Sequence, residues 1–309
     1  MVPQREDDRC TIQAPAKLNL YLHLLGKRHD GFHELETVMT PVRMFDRVAV
    51  EASRSISDDE LRLSVDGDTG VDPIPTGKDN LVVCALDALR NEVGEALGAK
   101  VRLTKRIPSQ AGLGGGSSDA AAALIAGNRV WGLGLPLARL GEIGARLGSD
   151  IPFFVHAIGA RLQGRRIVGA LCTGRGEKIE PLDGPAGAPL VIVKPAYGLS
   201  TAEVYGACEP TDYNNRPAQS RTVVDCLRRG AWREAAPLLR NTLQNAAERV
   251  AHGVTLIRQW FERANVVAHQ LSGSGTAYFA LCHSHAEARR VACAARAAGL
   301  GRAWATGTV

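Results

Sequence analysis

The sequence predicts a protein of mixed helices and strands in two domains. Residues 10–25 alternate apolar and polar side chains as strands do, residues 80–93 carry apolar side chains at helical spacing, and 309 residues are enough for two hydrophobic cores. Glycine, alanine and proline become frequent around residue 186. We therefore place the domain boundary within residues 160–190, with a first domain at residues 1–165 and a second at residues 166–309.

Composition limits the classes of function. A net charge of +5 suits an anionic small molecule, but this charge and an aromatic content of 5% do not favour a nucleic-acid surface. No apolar run approaches the ~18 residues that cross a bilayer, and residues 1–9 are polar. The seven cysteines lack C-x-x-C spacing, which argues against a disulfide framework or a zinc site. We expect a cytoplasmic protein that binds neither nucleic acid nor membrane.

The chain is organised around residues 107–124, which read IPSQAGLGGGSSDAAAAL. Closely spaced glycines free main-chain N–H groups to converge on an anion. Ser117, Ser118 and Asp119 then supply N-cap chemistry, the alanines favour a helix, and residues 100–107 alternate like a strand. A strand, a glycine loop and a helix in this order predict a phosphate site at the helix start.

Better-known phosphate motifs do not fit this loop. The P-loop needs a lysine after its last glycine, and the dinucleotide fingerprint needs a third glycine where Ser117 stands. The protein-kinase signatures H-R-D and D-F-G are absent. A flexible linker is the remaining alternative, and the position between a strand and a strong helix start disfavours it.

Two further places carry polar residues that could act in chemistry. Lys17 and Asn19 share one face of the strand at residues 10–25, so they point together either into a pocket or into solvent. Asp150 precedes Pro152 and an apolar run, which predicts a sharp bend followed by a strand at residues 153–155. The carboxylate is then either held at a functional bend or part of an ordinary Asx turn.

Histidine clusters give no clear metal site. His29 and His33 have no third ligand nearby in sequence, and His33 is better suited to contact a ligand base or hydroxyl. The small residues 272–275 either close on a ligand or form a tight connection. Residues 282–285, which read CHSH, are explained by a strand end and a helix N-cap.

Taken together, six segments resemble the GHMP kinases over most of the chain. The segments are PAKLNL at 15–20, DGFHEL at 30–35, the glycine loop at 107–123, GSDIPFF at 148–154, GRGE at 174–177 and LSGSG at 271–275. The first, second and fourth segments are similar to those of members that phosphorylate the 2-hydroxyl of 4-diphosphocytidyl-2-C-methyl-D-erythritol in isoprenoid precursor synthesis. Another GHMP kinase of a small alcohol, or a nucleotide sensor without catalysis, stays possible from the sequence.

The resemblance implies an α+β fold, with an N-terminal domain like the second domain of ribosomal protein S5 and a ferredoxin-like C-terminal domain. It implies ATP with Mg²⁺ as the phosphoryl donor, a small cytidyl substrate, and a monomer or homodimer. It identifies no magnesium ligands.

The resemblance also implies roles for single residues. Asp150 corresponds to a catalytic base and Lys17 to the lysine beside it. The positions implied for ATP are Asn80, Leu81, Pro108, Ser109, Gln110, Ala111, Gly112, Leu113, Gly114, Gly115, Gly116, Ser117 and Ser118. Those implied for the cytidyl substrate are Asn19, Phe32, His33 and Tyr205. Phe32 stands where a tyrosine is frequent, so it keeps a stacking face and lacks the hydroxyl.

Overall fold

The computed structural model describes residues 8–53, 60–67, 74–213 and 218–309. Most of the polar segment at residues 1–9 therefore lies outside the described residues. The chain divides into two units, each described below by itself. Unit 1 contains Met1–Ala16, Met44–Ile107 and Gly114–Gly164, and unit 2 contains Lys17–Arg43, Pro108–Leu113 and Arg165–Val309. The boundary that the sequence suggests at residue 165 stays a prediction.

Unit 1 combines a sheet with helices. The strands β1 (Arg9–Lys27) and β2 (His33–Ala52) supply residues to both units. Within unit 1 the strand order is β3-β4-β2-β1, in which β3 (Leu61–Gly67) is parallel to β4 (Ala99–Lys105) and β4 is antiparallel to β2. Parallel neighbours need a crossover connection, and α1 (Leu81–Val93) lies in that connection.

A buried helix of small residues occupies the centre of unit 1. The helices that follow α1 are α2 (Gly115–Val130), α3 (Leu137–Ala145) and α4 (Ile151–Leu162). In α2 every residue from Ser118 to Gly127 is buried. A Cβ added at Gly127 would lie 2.6 Å from Leu86 Cδ2 of α1, so the helices approach closely because glycine is there. This packing fixes the position of α2, and with it the end of the glycine loop.

The segment after Asp150 is a helix, so the strand predicted at residues 153–155 is wrong. Pro152 lies in the first turn of α4, where the N–H that proline lacks has no acceptor within the helix. The helix is also buried around nearly its whole circumference between residues 151 and 160. A helix that is apolar on all sides shows no helical periodicity, so its sequence resembles that of a short buried strand.

Unit 2 contains an antiparallel sheet in the ferredoxin-like arrangement. Its remaining strands are β5 (Ile167–Gly174), β6 (Lys178–Asp183), β7 (Pro189–Lys194), β8 (Arg240–Asn241), β9 (Ala268–Leu271), β10 (Tyr278–Leu281) and β11 (Arg302–Gly307). Its helices are α5 (Thr201–Gly206), α6 (Ser220–Arg228), α7 (Trp232–Ala235), α8 (Gln244–Val250), α9 (His252–Arg263) and α10 (His285–Ala297). The sheet order is β11-β7-β10-β9. The chain between β7 and β9 contains the helices α5 to α9 and the strand β8, and α10 lies between β10 and β11. This confirms the predicted α+β class.

In unit 2, the strands β5, β6 and β8 form a sheet with the parts of β1 and β2 that belong to this unit. Residues 35–39 of β2 pair with β5, which pairs with β6, and β1 pairs in parallel with β8 at Tyr21 and Leu22. The seven cysteines are free thiols. In the described part of the chain, no helix combines the length and the apolar character that a membrane span requires.

Candidate active site

The glycine loop contributes residues to both units. Pro108–Leu113 belong to unit 2 and Gly114–Ser118 to unit 1. In unit 1, Gly114 is the residue before α2, and its φ of 70° and ψ of 20° are left-handed. A residue with a Cβ is strained in this conformation, which explains the glycine.

The start of α2 has the properties of an anion site. The carbonyl of Gly114 accepts the first intrahelical hydrogen bond, from the Ser118 N–H at 2.9 Å. The N–H groups of residues 115–117 therefore have no acceptor within the helix, and they lie at its positive end. The buried Ser118 Oγ also has no hydrogen-bond partner in the structure. These donors suit phosphate oxygens.

Two of the residues predicted to bind ATP, Asn80 and Leu81, lie beside this helix start. A Cβ added at Gly116 would be 3.6 Å from Leu81 Cδ1, so Leu81 flanks the glycines. Asn80 is the N-cap of α1: its Oδ1 accepts from the Val82 N–H at 2.9 Å. Its Nδ2 donates to the carbonyl of Pro75 at 2.7 Å. Asn80 thus fixes the chain that leads to Leu81.

Asp150 belongs to the same region of unit 1. It is the half-buried residue that precedes α4. Two residues earlier, a Cβ added at Gly148 would be 3.9 Å from Ser117 Oγ. The structure therefore places the turn that carries Asp150 beside the last residues of the glycine loop.

A buried ionic cluster lies under the loop in unit 1. Lys105 Nζ donates to Asp119 Oδ2 at 2.6 Å and also to Asp46 Oδ2. Asp46 Oδ1 accepts from the N–H groups of Arg106 and Ile107 at 2.5 and 2.8 Å. Burial alone would lower the pKa of Lys105, but the two carboxylates raise it above its ordinary value.

In unit 2 the predicted catalytic lysine is buried with Asn19. Lys17 Nζ donates to Asn19 Oδ1 at 2.5 Å, and Asn19 Nδ2 donates to Thr37 Oγ1 at 2.8 Å. Lys17 and Asn19 are 4% and 3% exposed, so the solvated alternative is wrong. Because Asn19 can neither rotate nor shift without losing these bonds, it holds the ammonium in place.

The turn at residues 272–275 contacts the first part of the glycine loop within unit 2. Ser272 Oγ donates to the Gly112 carbonyl at 3.0 Å, and the Ala277 N–H donates to the Ala111 carbonyl at 3.0 Å. A Cβ added at Gly112 would lie 2.0 Å from the Ser272 carbonyl oxygen, so only glycine allows this approach. The turn therefore positions Pro108–Leu113.

The same turn also lies close to Lys17 and Asn19. A Cβ added at Gly273 would be 3.3 Å from Lys17 Nζ and 3.2 Å from Asn19 Oδ1. Asn241 Nδ2 holds the turn by donating to the carbonyls of Leu271 and Gly273 at 2.9 and 2.7 Å. The turn is thus a tight connection that packs on the glycine loop and on Lys17.

The predicted cytosine residues lie near one another in unit 2. The His33 ring is 5.0 Å from that of Tyr205, and His33 Nε2 is 2.7 Å from the Tyr213 hydroxyl. Burial lowers the pKa of His33, and the charge of Lys27 lowers it further, so the ring is neutral at neutral pH and has one donor and one acceptor. Phe32 is 50% exposed, with the Arg175 guanidinium 4.7 Å from its ring centroid.

Several residues of these sites carried no recognisable signal in the sequence. Asp46 lies 59 positions from Lys105, and Tyr213 lies 180 positions from His33, so spacing alone could not join either pair. Asp119 was predicted as an N-cap residue, which is wrong: Gly114 is the N-cap of α2, and Asp119 is a buried residue inside the helix. A lysine on the apolar face of β4 was the one available sign of a buried cluster.

Metal binding by side chains alone has no support in the described ranges. They contain no group of three or more His, Cys, Asp or Glu side chains arranged to hold an ion. Ser284 is the N-cap of α10, with its Oγ accepting from the Glu287 N–H at 3.1 Å. This agrees with the N-cap interpretation of residues 282–285.

Two family models match the chain. Residues 80–157 match the GHMP kinases N terminal domain, and residues 223–300 match the GHMP kinases C terminal domain. The first match contains the glycine loop and Asp150. The predicted resemblance and the predicted kinase fold are therefore confirmed.

Known proteins resemble this chain over nearly its whole length. A protein of Pelotomaculum thermopropionicum named 4-diphosphocytidyl-2-C-methyl-D-erythritol kinase is 39% identical over 91% of this chain and 92% of its own. A crystal structure of 4-(cytidine 5'-diphospho)-2C-methyl-D-erythritol kinase is 33% identical, with a TM-score of 0.78 over 97% of this chain and 99% of that one.

A more distant structure shares the fold alone. Homoserine kinase from Cytophaga hutchinsonii is 18% identical, with a TM-score of 0.70 over 100% of this chain and 97% of that one. The Pelotomaculum protein is therefore about twice as identical to this chain as the homoserine kinase is. By sequence, domain composition and fold, the chain belongs to the 4-diphosphocytidyl-2-C-methyl-D-erythritol kinase family of GHMP kinases.

Proposed function

We propose that this protein transfers the γ-phosphoryl group of ATP to the 2-hydroxyl of 4-diphosphocytidyl-2-C-methyl-D-erythritol, in isoprenoid precursor synthesis. The observation that carries the proposal is the 39% identity over nine-tenths of both chains to a kinase named for this substrate. The glycine loop that opens into α2 supports it, because this element suits a polyphosphate.

In this proposal Asp150 is the general base. Its carboxylate takes the proton of the acceptor hydroxyl as the oxygen attacks the γ-phosphorus, a contribution of typically ~10²–10⁴ in rate. The turn that carries Asp150 lies beside Ser117, which supports a role next to the phosphates. Lys17 stabilises the negative charge that develops on the phosphoryl group during transfer. Its hydrogen bond to Asn19 fixes the position of the ammonium group.

The loop and α2 provide most of the remaining catalysis. Pro108–Ser118 bind and orient the phosphates through main-chain N–H groups, so that the γ-phosphorus lies in line with the acceptor oxygen. Asn80 and Leu81 place the start of α1 against the adenine. Gly116, which has open space around its Cβ position apart from Leu81, leaves room for the nucleotide.

The residues present also fit Mg²⁺ on the nucleotide. Magnesium prefers oxygen ligands, and the Ser118 hydroxyl is a buried oxygen without a hydrogen-bond partner in the structure. Ser117 and Ser118 are therefore the side chains that we propose to hold the metal, directly or through water. Bound with ATP, Mg²⁺ would neutralise phosphate charge.

We propose that His33, Tyr205 and Phe32 bind the cytosine base. A neutral imidazole can donate to and accept from the base edge, while the rings of Tyr205 and Phe32 offer stacking faces. Asn19 contacts the polar part of the substrate. The free cysteines suit the reducing cytoplasm, where we place the enzyme.

An ADP-release assay tests the proposal. The full-length protein with ATP and Mg²⁺ is given 4-diphosphocytidyl-2-C-methyl-D-erythritol, mevalonate, homoserine or galactose, each in a separate reaction. We expect turnover with the cytidyl substrate and none above background with the other three. Turnover with another alcohol would reassign the substrate, and ATP binding without any turnover would indicate a nucleotide sensor.

A further inference from the structure

Tyr213 contacts the histidine that is proposed to bind the base, and the function proposed above gives this tyrosine no role. Its hydroxyl lies 2.7 Å from His33 Nε2, and the two rings are nearly parallel, with centroids 5.8 Å apart and planes 14° apart. His33 is 9% exposed, so this hydrogen bond is largely protected from water. A partner on one ring nitrogen determines what the other nitrogen can offer to a ligand.

The segment that carries Tyr213 is anchored by its neighbour Asp212. The buried Asp212 carboxylate accepts from the Glu209 N–H at 2.9 Å and from Asn245 Nδ2 of α8 at 3.3 Å. Arg249, which also lies on α8, forms an ion pair with the same carboxylate. Hydrogen bonds to a charged group are stronger than neutral ones, so they fix the main chain next to Tyr213. The phenol is therefore held in place by residues other than those proposed to bind the base.

The chemistry of the two groups favours one direction for the hydrogen bond. Burial raises the pKa of Tyr213, so the phenol keeps its proton at neutral pH. Burial lowers the pKa of His33, so the ring is neutral and one nitrogen carries a lone pair. A phenol donates well but accepts poorly, because its oxygen lone pairs are delocalised into the ring. The favoured arrangement is a hydroxyl that donates to Nε2 and an imidazole whose proton lies on Nδ1.

This tautomer distinguishes between pyrimidine bases. Because Tyr213 engages Nε2, Nδ1 is the ring nitrogen of His33 that can contact a ligand. On the pairing edge of cytosine N3 is an acceptor, whereas in uracil N3 carries a hydrogen. A fixed Nδ1–H therefore bonds to cytosine N3, and opposite uracil N3 it would place two donors face to face.

We propose that Tyr213 is a positioning residue for base recognition, which fixes the His33 tautomer so that Nδ1–H donates to N3 of cytosine and disfavours uracil. This inference rests on the proposed function, and it narrows the contact of His33 with the base to one nitrogen. Without the Tyr213 hydroxyl, the ring exchanges between its two tautomers. Part of the population then presents a lone pair to the lone pair of N3, so the base binds less tightly and less selectively.

NMR of the histidine side chains observes the tautomer directly, in the full-length protein without substrate. The histidines are labelled with nitrogen-15, and the signals of His33 are identified by their absence from His33→Gln. At pH 7 we expect the parent protein to show a protonated Nδ1 and an unprotonated Nε2. In Tyr213→Phe we expect shifts averaged over the two tautomers. The parent spectrum needs no activity, and it remains decisive if Tyr213→Phe does not fold.

Steady-state kinetics then test the effect on the base. Tyr213→Phe removes one hydroxyl and keeps the ring. We expect the KM for the cytidyl substrate to rise about fivefold, with kcat and the KM for ATP within about twofold of the parent. The parent should use the uridyl analogue of the substrate at least about 10²-fold less efficiently, and Tyr213→Phe should lower this ratio about tenfold. A merely structural role of Tyr213 would change neither the tautomer nor the base preference.

Tyr278→Phe is the matched control, because it removes the hydroxyl of a second tyrosine–histidine pair in unit 2. The Tyr278 hydroxyl lies 3.2 Å from His269 Nδ1, and neither residue is among those proposed for the base. This variant should change the NMR signals of His269. It should keep the KM for the cytidyl substrate and the base preference of the parent.

The outcomes separate the inference from the proposed function. A parent protein whose His33 carries its proton on Nε2, or a Tyr213→Phe variant with the KM and base preference of the parent, would overturn the inference and leave the kinase assignment intact. A parent protein that phosphorylates neither the cytidyl nor the uridyl compound would overturn the proposed function, and with it the role of His33 in base recognition, whichever tautomer is found.

Discussion

Asp150 stands at the start of α4, in the turn that the structure places beside Ser117 of the glycine loop. We predict that Asp150→Asn lowers kcat by at least ~10² with little change in ATP affinity, because the amide cannot accept the hydroxyl proton. Steady-state kinetics with the cytidyl substrate and calorimetry with ATP check this. A variant with near-normal kcat would remove Asp150 from the mechanism.

His33 gives a second prediction for a single residue. Its pKa lies below the ordinary value of 6.5 because the ring is buried and near Lys27. It is neutral at pH 7 and gains a proton only below pH 6.5, when it loses its acceptor. The KM for the cytidyl substrate should therefore be constant near neutrality and rise on acidification, with little change in the KM for ATP.

The matched variant is His33→Gln, which does not titrate. At pH 7 its KM for the cytidyl substrate should be about tenfold higher, since one hydrogen bond is lost or misaligned. Its KM should then vary less with pH than that of the parent. Identical profiles for the two proteins would show that His33 does not contact the base.

Single residues also show what a sequence can reveal. The alternation in β1 predicted that Lys17 and Asn19 share a face, and they do form a hydrogen bond. The sequence could not predict whether that face is buried. Alternation distinguishes the two faces of a strand, but it does not show whether other residues pack on the polar face. Partners remote in sequence, such as Tyr213 for His33, have no local signature.

At the scale of elements, the left-handed glycine before α2 is open to a controlled test. Gly114→Ala should lower the affinity for ATP at least about tenfold, because the strained residue shifts the N–H groups that face the phosphates. Gly132→Ala is the matched control: Gly132 has a similar φ of 67° and no atom within 4 Å of its Cβ position.

Both glycine variants should lose similar stability, about 1 kcal/mol for a left-handed residue that gains a Cβ. Only Gly114→Ala should lose ATP affinity. ATP affinity is measured by calorimetry, and stability by thermal unfolding. If the two variants have equal ATP affinity and equal stability, the start of α2 does not take part in nucleotide binding.

Elements differ in how well a sequence predicts them. The strand, loop and helix around residues 100–124 were predictable because alternation, glycines and alanines follow one another without ambiguity. The helix α4 was not, because burial on all sides removed its periodicity and Pro152 suggested a break. Tertiary packing decides the secondary structure of such segments.

At the scale of the whole molecule, buried and half-buried histidines link stability to pH. Burial lowers the pKa values of His23, His33 and His269 below 6.5. Below pH 6.5 the unfolded chain therefore binds more protons than the folded chain. The contribution of these histidines to the free energy of unfolding is thus fully present above pH 6.5, and it is lost as the pH decreases toward 5.

We predict a lower free energy of unfolding in urea at pH 5 than at pH 7. His23→Gln, at a site where Nδ1 is buried without a partner in the structure, should show a smaller difference. A free energy that is constant or rises between pH 7 and pH 5 would contradict this linkage.

The fold as a whole was predictable through resemblance more than through physics. Segments such as PAKLNL and GSDIPFF, which follow one another along the chain, identified the family, and the α+β class followed from the family. Periodicity alone located β1, α1 and β4 but could not give their arrangement, since β1 pairs with β8 more than 200 residues later. Long-range pairings of this kind leave no local pattern.

The most direct test of the central claim is to follow the phosphoryl group itself. The protein is incubated with γ-labelled ATP, Mg²⁺ and an equimolar mixture of 4-diphosphocytidyl-2-C-methyl-D-erythritol, mevalonate, homoserine and galactose, and the products are resolved by mass spectrometry and phosphorus NMR. We predict that the label appears on the 2-hydroxyl of the cytidyl compound alone. Label on another hydroxyl or another alcohol, or only in free phosphate, would contradict the assignment.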